Sequence, residues 1–478
     1  MHYLATYPAL CIGIPLAAAV LAGFGLRPKR LAVAAAGLVL VVIACCYPQG
    51  SLSFPGPTLL PGTQFTLRLD LLGWLLALTA ASLWFLAACY SLAYLHGGRR
   101  DRPYHVAFLL TLAGAQGTFL AGDLFTLFVA FEVMSLAAYP LVVHESTPAA
   151  RRAGAKYLYL SVSAGVALFT AVMLTWWQAG SLELGRLELA GPWGKAALSC
   201  YLLAFALKAG LVPLHIWLPD AHPVAPSPAS ALLSGIMIKA GAYGLFRIVF
   251  EVVGTETVRA LGWQGPLLAM AVASMVLGSV AAFLQADVKR RLAYSSIAQM
   301  GYIALGISLL TRAGLAAAIY HATAHAAMKS LLFLAAGVML WAGERRRVDD
   351  WRGVASLSPV AAGAFTVGGL AMIGLPPLNG FVGKWELGLA ALETGSPWLA
   401  GLLILSGLAN AAYYLPLVNL AWFADHAESH GGDHQAYARV PAAMLWPLLV
   451  LAAACLGPLL GGNLVLVLAR RAAGLLLP

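Results

Sequence analysis

Charged residues are scarce in this chain, and their scarcity excludes most classes of soluble protein. Only 10% of the 478 residues are Asp, Glu, Lys or Arg, whereas an average soluble domain has about 25%. Nineteen acidic and 29 basic side chains cannot cover the surface of a soluble protein of this length. With 61% apolar residues and a mean hydropathy of +0.82, the composition predicts a protein embedded in a lipid bilayer.

Cysteine is also rare, and its spacing does not indicate a redox centre. The six cysteines lie in apolar runs without a C-x-x-C pair, so we interpret them as small buried hydrophobic residues. We therefore expect neither a metal nor any other cofactor in this chain. The sequence also lacks a Walker A motif, a dinucleotide-binding glycine pattern after a strand and a nucleophile elbow, which predicts that the chain performs no bond chemistry itself.

The basic residues form short clusters between apolar runs, which is typical of the cytoplasmic loops of membrane proteins. Although the net charge is +10, this distribution predicts no nucleic-acid partner. Most of the clusters follow odd-numbered spans. The positive-inside rule then predicts that the odd loops are cytoplasmic and that both termini lie on the outer side of a prokaryotic cytoplasmic membrane.

Apolar runs of about 20 residues are long enough to cross a bilayer, and long strand-like alternation is absent. The sequence therefore predicts an all-α polytopic membrane protein with about fourteen transmembrane helices. The predicted spans are 5–26, 31–47, 71–95, 105–121, 123–143, 156–179, 196–214, 228–250, 264–285, 292–311, 314–342, 357–392, 397–423 and 441–468.

Charged residues lie inside several of these spans, where a charge is costly. They are Glu132, Lys208, Lys239, Lys329 and Lys384. Each central charge costs about 2.5–3.5 kcal/mol on the insertion scale, and the sum is comparable to the whole stability of a typical domain. We therefore expect these residues to line a polar path through the membrane rather than to face lipid.

Glu132 and Lys208 both lie near the centres of their spans. Opposite charges on neighbouring helices favour each other's charged form, so a pair that opens and closes can release and rebind a proton. This pairing predicts a proton switch.

His321, His325 and Lys329 follow one another at intervals of four residues, which places them on one face of a helix about 6 Å apart. Groups at that interval, bridged by water, can pass protons along the membrane plane. Histidine suits this role because its ordinary pKa is close to neutral pH.

Two spans contain helix-breaking residues next to a lysine. Pro213 follows Lys208, whereas Pro376 and Pro377 precede Lys384. Broken helices in a membrane usually occur at ion or substrate sites, and the reversed order of lysine and proline is what an inverted repeat would produce.

The stretch from Lys208 to Ile248, KAGLVPLHIWLPDAHPVAPSPASALLSGIMIKAGAYGLFRI, resembles the antiporter-like membrane subunits of respiratory complex I. Related members are Mrp-type cation/proton antiporters and membrane-bound energy-converting hydrogenases. The resemblance covers about residues 70–425 and includes, in the expected order, FVAFEVMSLAAYPLV, QADVKRRLAYSSIAQMGY, HATAHAAMKSLLFLAAG and GLPPLNGFVGKWE.

This resemblance implies fourteen helices with two inverted five-helix repeats, of which helices 7 and 12 are broken. The implied regions are 1–104 for helices 1–3, 105–250 for the first repeat, 260–425 for the second repeat and 440–478 for helix 14. It also implies a role for each buried ionisable residue. Those roles are the paired switch for Glu132 and Lys208, the central connection for Lys239, the bridge for His321, His325 and Lys329, and the terminal proton or ion site for Lys384.

The resemblance implies a proton-translocating subunit of a multi-subunit membrane complex, either an energy-converting hydrogenase or a complex I-like enzyme. Its partners would be other membrane subunits, including further antiporter-like subunits, and any Fe–S, NiFe or flavin group would belong to them. Two alternatives stay open: a subunit of an Mrp-type Na⁺/H⁺ antiporter, and a structural subunit that does not transport. Lysine at 384 resembles the Mrp and hydrogenase branches.

Other polar residues suggest weaker hypotheses. Asp123 and Glu386 lie near span ends and are candidates for access to the path. His215, Asp220 and His222 lie in a proline-rich stretch, which favours a turn over a metal site. The histidine-containing segment 425–433 predicts a solvated connector.

Overall fold

The computed structural model describes residues 2–60, 63–95, 100–424, 440–457 and 463–477. Within them the chain is predominantly helical. The predicted connector at 425–433 lies outside the described residues.

Helices from both halves of the chain pack side by side. In the first half they are α1 (His2–Gly23), α2 (Pro28–Ala44), α3 (Leu71–Tyr94), α4 (Asp101–Phe119), α5 (Leu124–Ala137), α6 (Tyr139–Val142), α7 (Pro148–Ala179), α8 (Gly191–Ala209), α9 (Leu218–Val224), α10 (Ser227–Leu232) and α11 (Ile238–Phe246). In the second half they are α12 (Thr255–Ala260), α13 (Gln264–Leu284), α14 (Val288–Ser308), α15 (Arg312–Gly343), α16 (Pro359–Ile373), α17 (Asn379–Glu393), α18 (Pro397–Phe423), α19 (Ala442–Cys455) and α20 (Leu464–Leu476).

Among the described residues, 7 helices are long and apolar enough to cross a membrane. They are Leu71–Tyr94, Leu124–Val142, Pro148–Ala179, Ser227–Val252, Gln264–Leu284, Arg312–Gly343 and Pro397–Phe423. Tyr7–Gly23, Pro359–Ile373 and Ala442–Cys455 are shorter apolar helices. These lengths and compositions make the chain a membrane protein with several apolar helices.

The centre of the molecule is the helix Ser227–Val252, whose most apolar window is 100% buried. This helix contains α10 and α11 and two π-helical segments, Leu233–Met237 and Arg247–Val252. The outer helix α18 is only 33% buried in the corresponding window. The charged residues of the central helix therefore face protein and not lipid.

A β-hairpin corrects the all-α prediction. Strand β1 (Leu52–Leu60) pairs antiparallel with β2 (Thr63–Leu69), for example Ser53 with Arg68. The strands are short, and β2 alternates apolar and polar residues over only seven positions, so a search for long alternation does not detect them.

Two helices end within the molecule and restart after a proline-containing segment. Helix α8 ends at Ala209 and α9 begins at Leu218, and Gly210 after α8 has φ +69°. Helix α16 ends at Ile373 and α17 begins at Asn379, and Gly374 has φ +91°. Both glycines are in the left-handed region that glycine adopts at helix ends.

The C-terminal region differs from the prediction of one span over 441–468. The structure has two helices there, α19 and α20, separated by residues outside the described range. Helix α19 ends at Cys455, and α20 begins at Leu464 directly after Asn463.

Candidate functional site

Lys208 lies in the last turn of α8, and its amine is surrounded by hydroxyl groups and aromatic rings. The side chain is 2% exposed. Its Nζ donates to Ser135 Oγ at 2.8 Å and to the Tyr157 hydroxyl at 3.3 Å. It also lies 5.3 Å from the ring centroid of Tyr157 and 5.6 Å from that of Phe131. These contacts replace part of the water shell that a buried ammonium loses.

The break after Lys208 is supported by side chains from other parts of the chain. The indole of Trp217 donates to the carbonyl of Leu207 at 3.0 Å, and the amide of Val212 donates to Ser274 Oγ at 2.9 Å. An interrupted helix in a membrane requires such partners, because its freed backbone groups would otherwise be buried without hydrogen bonds.

Glu132 lies on α5, one turn before Ser135, and its carboxylate packs against α7. A Cβ atom at Gly165 would lie 2.6 Å from both carboxylate oxygens, so glycine leaves room for this side chain. Glu132 Oε1 is buried without a hydrogen-bond partner among the described residues. Those residues contain no Glu132–Lys208 ion pair within 4.0 Å, so the predicted pair is open in this conformation.

Lys239 lies at the centre of the molecule, directly after the first π-helical segment. It is 1% exposed, and its Nζ donates to the carbonyl of Ser234 at 2.5 Å. The hydroxyl of Ser234 lies 2.7 Å from that of Ser296 on α14. The central lysine is thus joined to the second half of the chain through two serines.

The amine of Lys329 on α15 is also surrounded by polar groups, which we call its cage. Its Nζ donates to the carbonyl of Leu292 at 2.9 Å, to the hydroxyl of Ser295 and to the Tyr414 hydroxyl at 3.2 Å. The cage therefore combines serine and tyrosine hydroxyls, as the cage of Lys208 does. Lys329 has 0% exposure, so these groups are its solvation.

His321 and His325 precede Lys329 on the same face of α15. Their rings are nearly parallel, with centroids 6.2 Å apart. His321 Nε2 lies 2.8 Å from Gln299 Oε1, whereas both ring nitrogens of His325 lack partners among the described residues. Unpartnered nitrogens in a buried ring are available to accept or donate a proton.

Lys384 on α17 reaches back across the second break. Its Nζ donates to the carbonyls of Met372 and Ile373 at 2.9 and 2.7 Å, which are the last carbonyls of α16. Its Nζ also lies 5.0 Å from the ring centroid of Tyr302, whose ring is 5.4 Å from that of His321. Carbonyls at a helix C-terminus favour a cation, which explains the position of the amine.

Several polar residues of this region are absent from the sequence-based set. The hydroxyl of Tyr302 donates to Ser406 Oγ at 2.7 Å, and the amide of Asn410 donates to the carbonyl of Met372 at 3.2 Å. Tyr413 donates to Asn410 Oδ1 at 2.6 Å. Tyrosine, serine and asparagine are common in apolar helices, so their sequence positions alone do not distinguish path residues from packing residues.

Asp123 and Glu386 occupy structural positions next to cavities. Asp123 caps α5 by accepting from the amide of Thr126 at 2.7 Å, and it also accepts from the amide of Thr66 at 2.9 Å. Burial raises the pKa of Asp123, although these hydrogen bonds oppose the shift. Glu386 accepts from Arg470 at 2.8 and 3.0 Å. Their role in access to the path stays a prediction.

Asp70 belongs to a buried ion network at the start of α3. It pairs with Arg68 at 2.8 Å and with Arg247 at 2.7 Å, and Glu251 pairs with both arginines. Burial alone would raise the pKa of Asp70, but the two guanidinium groups and hydrogen bonds from Arg247 and Gly73 lower it to about 2. The network fixes β2, α3 and the end of the central helix to one another.

The proline-rich stretch after Lys208 does not bring its polar residues together as metal ligands. Asp220 forms ion pairs with Lys156 and Arg290, the latter at 2.8 Å. His222 is 0% exposed and His215 is only partly buried. No group of three metal-ligating side chains occurs among the described residues.

Comparison with known proteins gives a family match across the centre of the chain. Residues 121–409 match the family described as NADH:quinone oxidoreductase/Mrp antiporter, transmembrane. The chain is 36% identical to NADH-quinone oxidoreductase subunit N of Desulforudis audaxviator over 389 residues, which are 76% of each chain. It is 30% identical to hydrogenase-4 component B of Escherichia coli over 418 residues, which are 82% of this chain and 62% of that protein.

The same arrangement of helices occurs in a solved structure. A chain in the structure of the Mrp complex from a Dietzia species superposes with a TM-score of 0.89 at 26% identity, covering 100% of this chain and 98% of that chain.

Proposed function

The chain belongs to the NADH:quinone oxidoreductase/Mrp antiporter family, and we propose that it is the proton-translocating, antiporter-like subunit of a multi-subunit membrane complex. The complex would be an energy-converting hydrogenase or a complex I-like enzyme. The observation that supports this proposal is the series of Lys, Glu and His side chains described above, from Glu132 to Lys384. All of them are buried or partly buried, and the lysine amines are held by hydroxyl groups, carbonyls and aromatic rings.

The first step of the proposed mechanism takes place at Glu132 and Lys208. When the carboxylate approaches the amine, it stabilises the protonated lysine, and when the pair opens, the proton can leave. At an effective dielectric constant of about 20, two charges 4 Å apart attract by about 4 kcal/mol. Moving one proton against 100 mV requires about 2.3 kcal/mol, so closing such a pair supplies energy of the required size.

In the following steps the proton moves through Lys239 to the face formed by His325 and His321, and then past Tyr302 to Lys384. Lys329 lies at the end of the same helix face, and in this mechanism it carries the positive charge of the bridge that it forms with the two histidines. Lys384 exchanges its proton with one side of the membrane. The driving energy comes from a partner subunit, and we propose that any Fe–S, NiFe or flavin group is bound there and not by this chain.

We further propose fourteen membrane crossings with two inverted repeats, 105–250 and 260–425, preceded by 1–104 and followed by 440–478. Two pairs of matching features support the repeats. Asp123 and Asp287 each cap a helix, α5 and α14. Each also forms a β-bridge with the chain that follows the next long helix, Asp123 with Glu183 after α7 and Asp287 with Arg347 after α15. Each break has a lysine beside it: Lys208 lies in the last turn of α8, and the amine of Lys384 binds the last carbonyl of α16.

A second candidate function is that of an Mrp-type Na⁺/H⁺ antiporter subunit. The TM-score of 0.89 to a chain of an Mrp complex supports it. In that case Na⁺ would be a second transported ion, and the same lysines would carry the proton part of the exchange.

The test is proton uptake into vesicles that contain the purified intact complex, with Lys208→Ala compared with wild type. Loss of the switch amine should reduce the initial uptake rate by about 100-fold. Lys195→Ala is the matched control, since Lys195 is an exposed lysine on the same helix α8, and it should leave uptake unchanged.

Each arm is measured with and without Na⁺. Uptake that disappears in Lys208→Ala and does not depend on Na⁺ supports proton translocation in a hydrogenase or complex I-like enzyme. Uptake that requires an opposing Na⁺ gradient favours the antiporter. Uptake that survives the substitution contradicts transport through this chain and leaves a structural subunit.

A further inference from the structure

Helix α14 places polar side chains at regular intervals on the face that meets α15. Ser295, Gln299 and Tyr302 follow one another after four and three residues, which puts them on one side of the helix. Ser295 binds the amine of Lys329, and Gln299 binds the ring of His321. The ionisable face of α15 therefore receives a polar partner from α14 at each of its two ends.

Gln299 is completely buried, and its amide has one partner. The side chain is 0% exposed, and its Oε1 lies 2.8 Å from Nε2 of His321. The amide nitrogen is buried without a hydrogen-bond partner among the described residues. An apolar side chain of the same length would fill this space without burying an unpaired amide, so packing alone does not account for a glutamine here.

The hydrogen bond to Gln299 determines where the ring of His321 carries its proton. An amide oxygen can only accept a hydrogen bond, and a neutral imidazole has one N–H group. Nε2 of His321 therefore donates to Oε1 of Gln299, and Nδ1 is the unprotonated nitrogen. A partner on one ring nitrogen fixes the tautomer and so decides which nitrogen is free for chemistry.

Nδ1 of His321 lies against the second broken helix. It has no hydrogen-bond partner among the described residues. A Cβ atom at Gly383 on α17 would lie 2.5 Å from Nδ1, so glycine lets the edge of the ring approach the backbone there. Lys384 is the next residue, and its charge acts on the ring. The free acceptor of His321 is thus turned towards the helix that carries the terminal lysine.

We propose that Gln299 positions His321 by holding its proton on Nε2, so that Nδ1, on the α17 side, is the nitrogen that accepts and releases the translocated proton. In the accepting step an N–H bond of a lysine ammonium in the buried series breaks and an N–H bond forms at Nδ1, which leaves a neutral amine and an imidazolium. In the releasing step the Nδ1–H bond breaks again. Nε2 keeps its own proton throughout, because an amide oxygen is too weak a base to take it. This inference rests on the proposed function and adds which nitrogen of His321 exchanges protons and which residue decides it.

The tautomer is measured by nitrogen NMR of the intact complex carrying isotope-labelled histidine. The signals of His321 are those that disappear in His321→Gln. In wild type we expect a proton on Nε2 and none on Nδ1. In Gln299→Met, which has no acceptor for Nε2–H, we expect a mixture of the two tautomers. A wild-type proton on Nδ1, or an unchanged tautomer in Gln299→Met, would overturn the proposal.

Proton uptake into vesicles that contain the intact complex measures the effect on transport. Gln299→Met keeps an unbranched side chain of similar length, so the complex should assemble. Because the ring is no longer held in one tautomer, we expect the initial uptake rate to fall by about 10-fold. Gln116→Met on α4 is the matched control and should transport normally, since Gln116 is also 0% exposed and its amide donates to a backbone carbonyl, that of Ala77, at 3.0 Å.

Normal uptake in Gln299→Met would contradict the positioning role. An equal loss in Gln116→Met would contradict it too, since the loss would then follow from replacing any buried glutamine. Lys208→Ala, measured in parallel, separates this inference from the proposed function. If Lys208→Ala abolishes uptake and Gln299→Met does not, transport through the chain stands and the role of Gln299 is wrong. If Lys208→Ala transports normally, the proposed function fails, and the NMR measurement still decides where His321 carries its proton.

Discussion

The position of Glu132 depends on Gly165 of the neighbouring helix α7, because glycine has no side chain to occupy the space. Its carboxylate occupies the space beside Gly165 on α7, and a single added carbon there would lie 2.6 Å from both oxygens. Since the amine of Lys208 is held by Ser135 and Tyr157, small displacements of the carboxylate change its separation from Lys208. The distance within this pair controls the proposed switch, so the packing of one glycine affects transport.

Gly165→Ala should therefore reduce proton uptake without unfolding the protein. The added methyl group displaces the carboxylate, and a displacement of about 1 Å can change a rate by up to 100-fold, so we expect a loss of about 10-fold. Proton uptake by the intact complex in vesicles measures the effect.

Gly363→Ala on α16 is the matched control, because a Cβ atom there would have no neighbour within 4 Å. Both substitutions raise helix propensity by a similar amount. Equal uptake in the two variants would contradict the positional role of Gly165.

At the scale of elements, the interruption between α16 and α17 positions the terminal lysine, Lys384, which lies on α17. The last carbonyls of α16 are bound by Lys384 from the helix that follows, so the break and its lysine stabilise one another. The two half-helices also approach very closely, because a Cβ atom at Gly380 would overlap the carbonyl of Ala371. A continuous helix would satisfy these carbonyls internally and leave the amine without them.

We expect Gly380→Ala to separate the two half-helices and to destabilise the break by about 1–3 kcal/mol. Uptake should fall because Lys384 loses its carbonyl partners. Heat inactivation of the intact complex, followed as the half-life of its uptake activity, reports the loss of stability.

Gly388→Ala lies on the same helix α17 and has no neighbour within 4 Å of the added carbon, so its half-life should equal that of wild type. A half-life for Gly380→Ala that matches this control would show that the close approach of the half-helices is not required.

At the scale of the whole molecule, the basic residues are unevenly distributed among the segments between the predicted spans. Clusters such as Arg151–Arg152, Lys289–Arg291 and Arg345–Arg347 follow odd-numbered predicted spans. Excess positive charge in loops is retained on the cytoplasmic side during insertion. The predicted orientation follows from this asymmetry.

Single cysteines introduced in place of the exposed residues Glu183 and Arg346 test the orientation in a Cys45→Ser background, since Cys45 is an exposed thiol. A membrane-impermeant maleimide should label Glu183→Cys in intact cells and Arg346→Cys only in inverted vesicles. The reverse pattern would contradict the orientation.

The amino-acid sequence by itself determined the membrane environment and the buried charges. Lipid acts on each residue separately, so a long apolar run, or a lysine within one, has the same meaning in any fold. For the same reason the helix-breaking prolines at 213, 376 and 377 could be located without a structure. The family-specific stretches added the order of the ionisable residues.

Only the tertiary structure decided which groups meet. The hydroxyls around Lys208 and Lys329, the tyrosine between His321 and Lys384, and the open state of the Glu132 pair depend on contacts between residues far apart in sequence. The short β-hairpin and the complete burial of His222 depend on tertiary packing too. A sequence pattern reports the local preference of a segment, whereas the partner of a buried polar group is chosen by the packing of whole helices, which no single segment specifies.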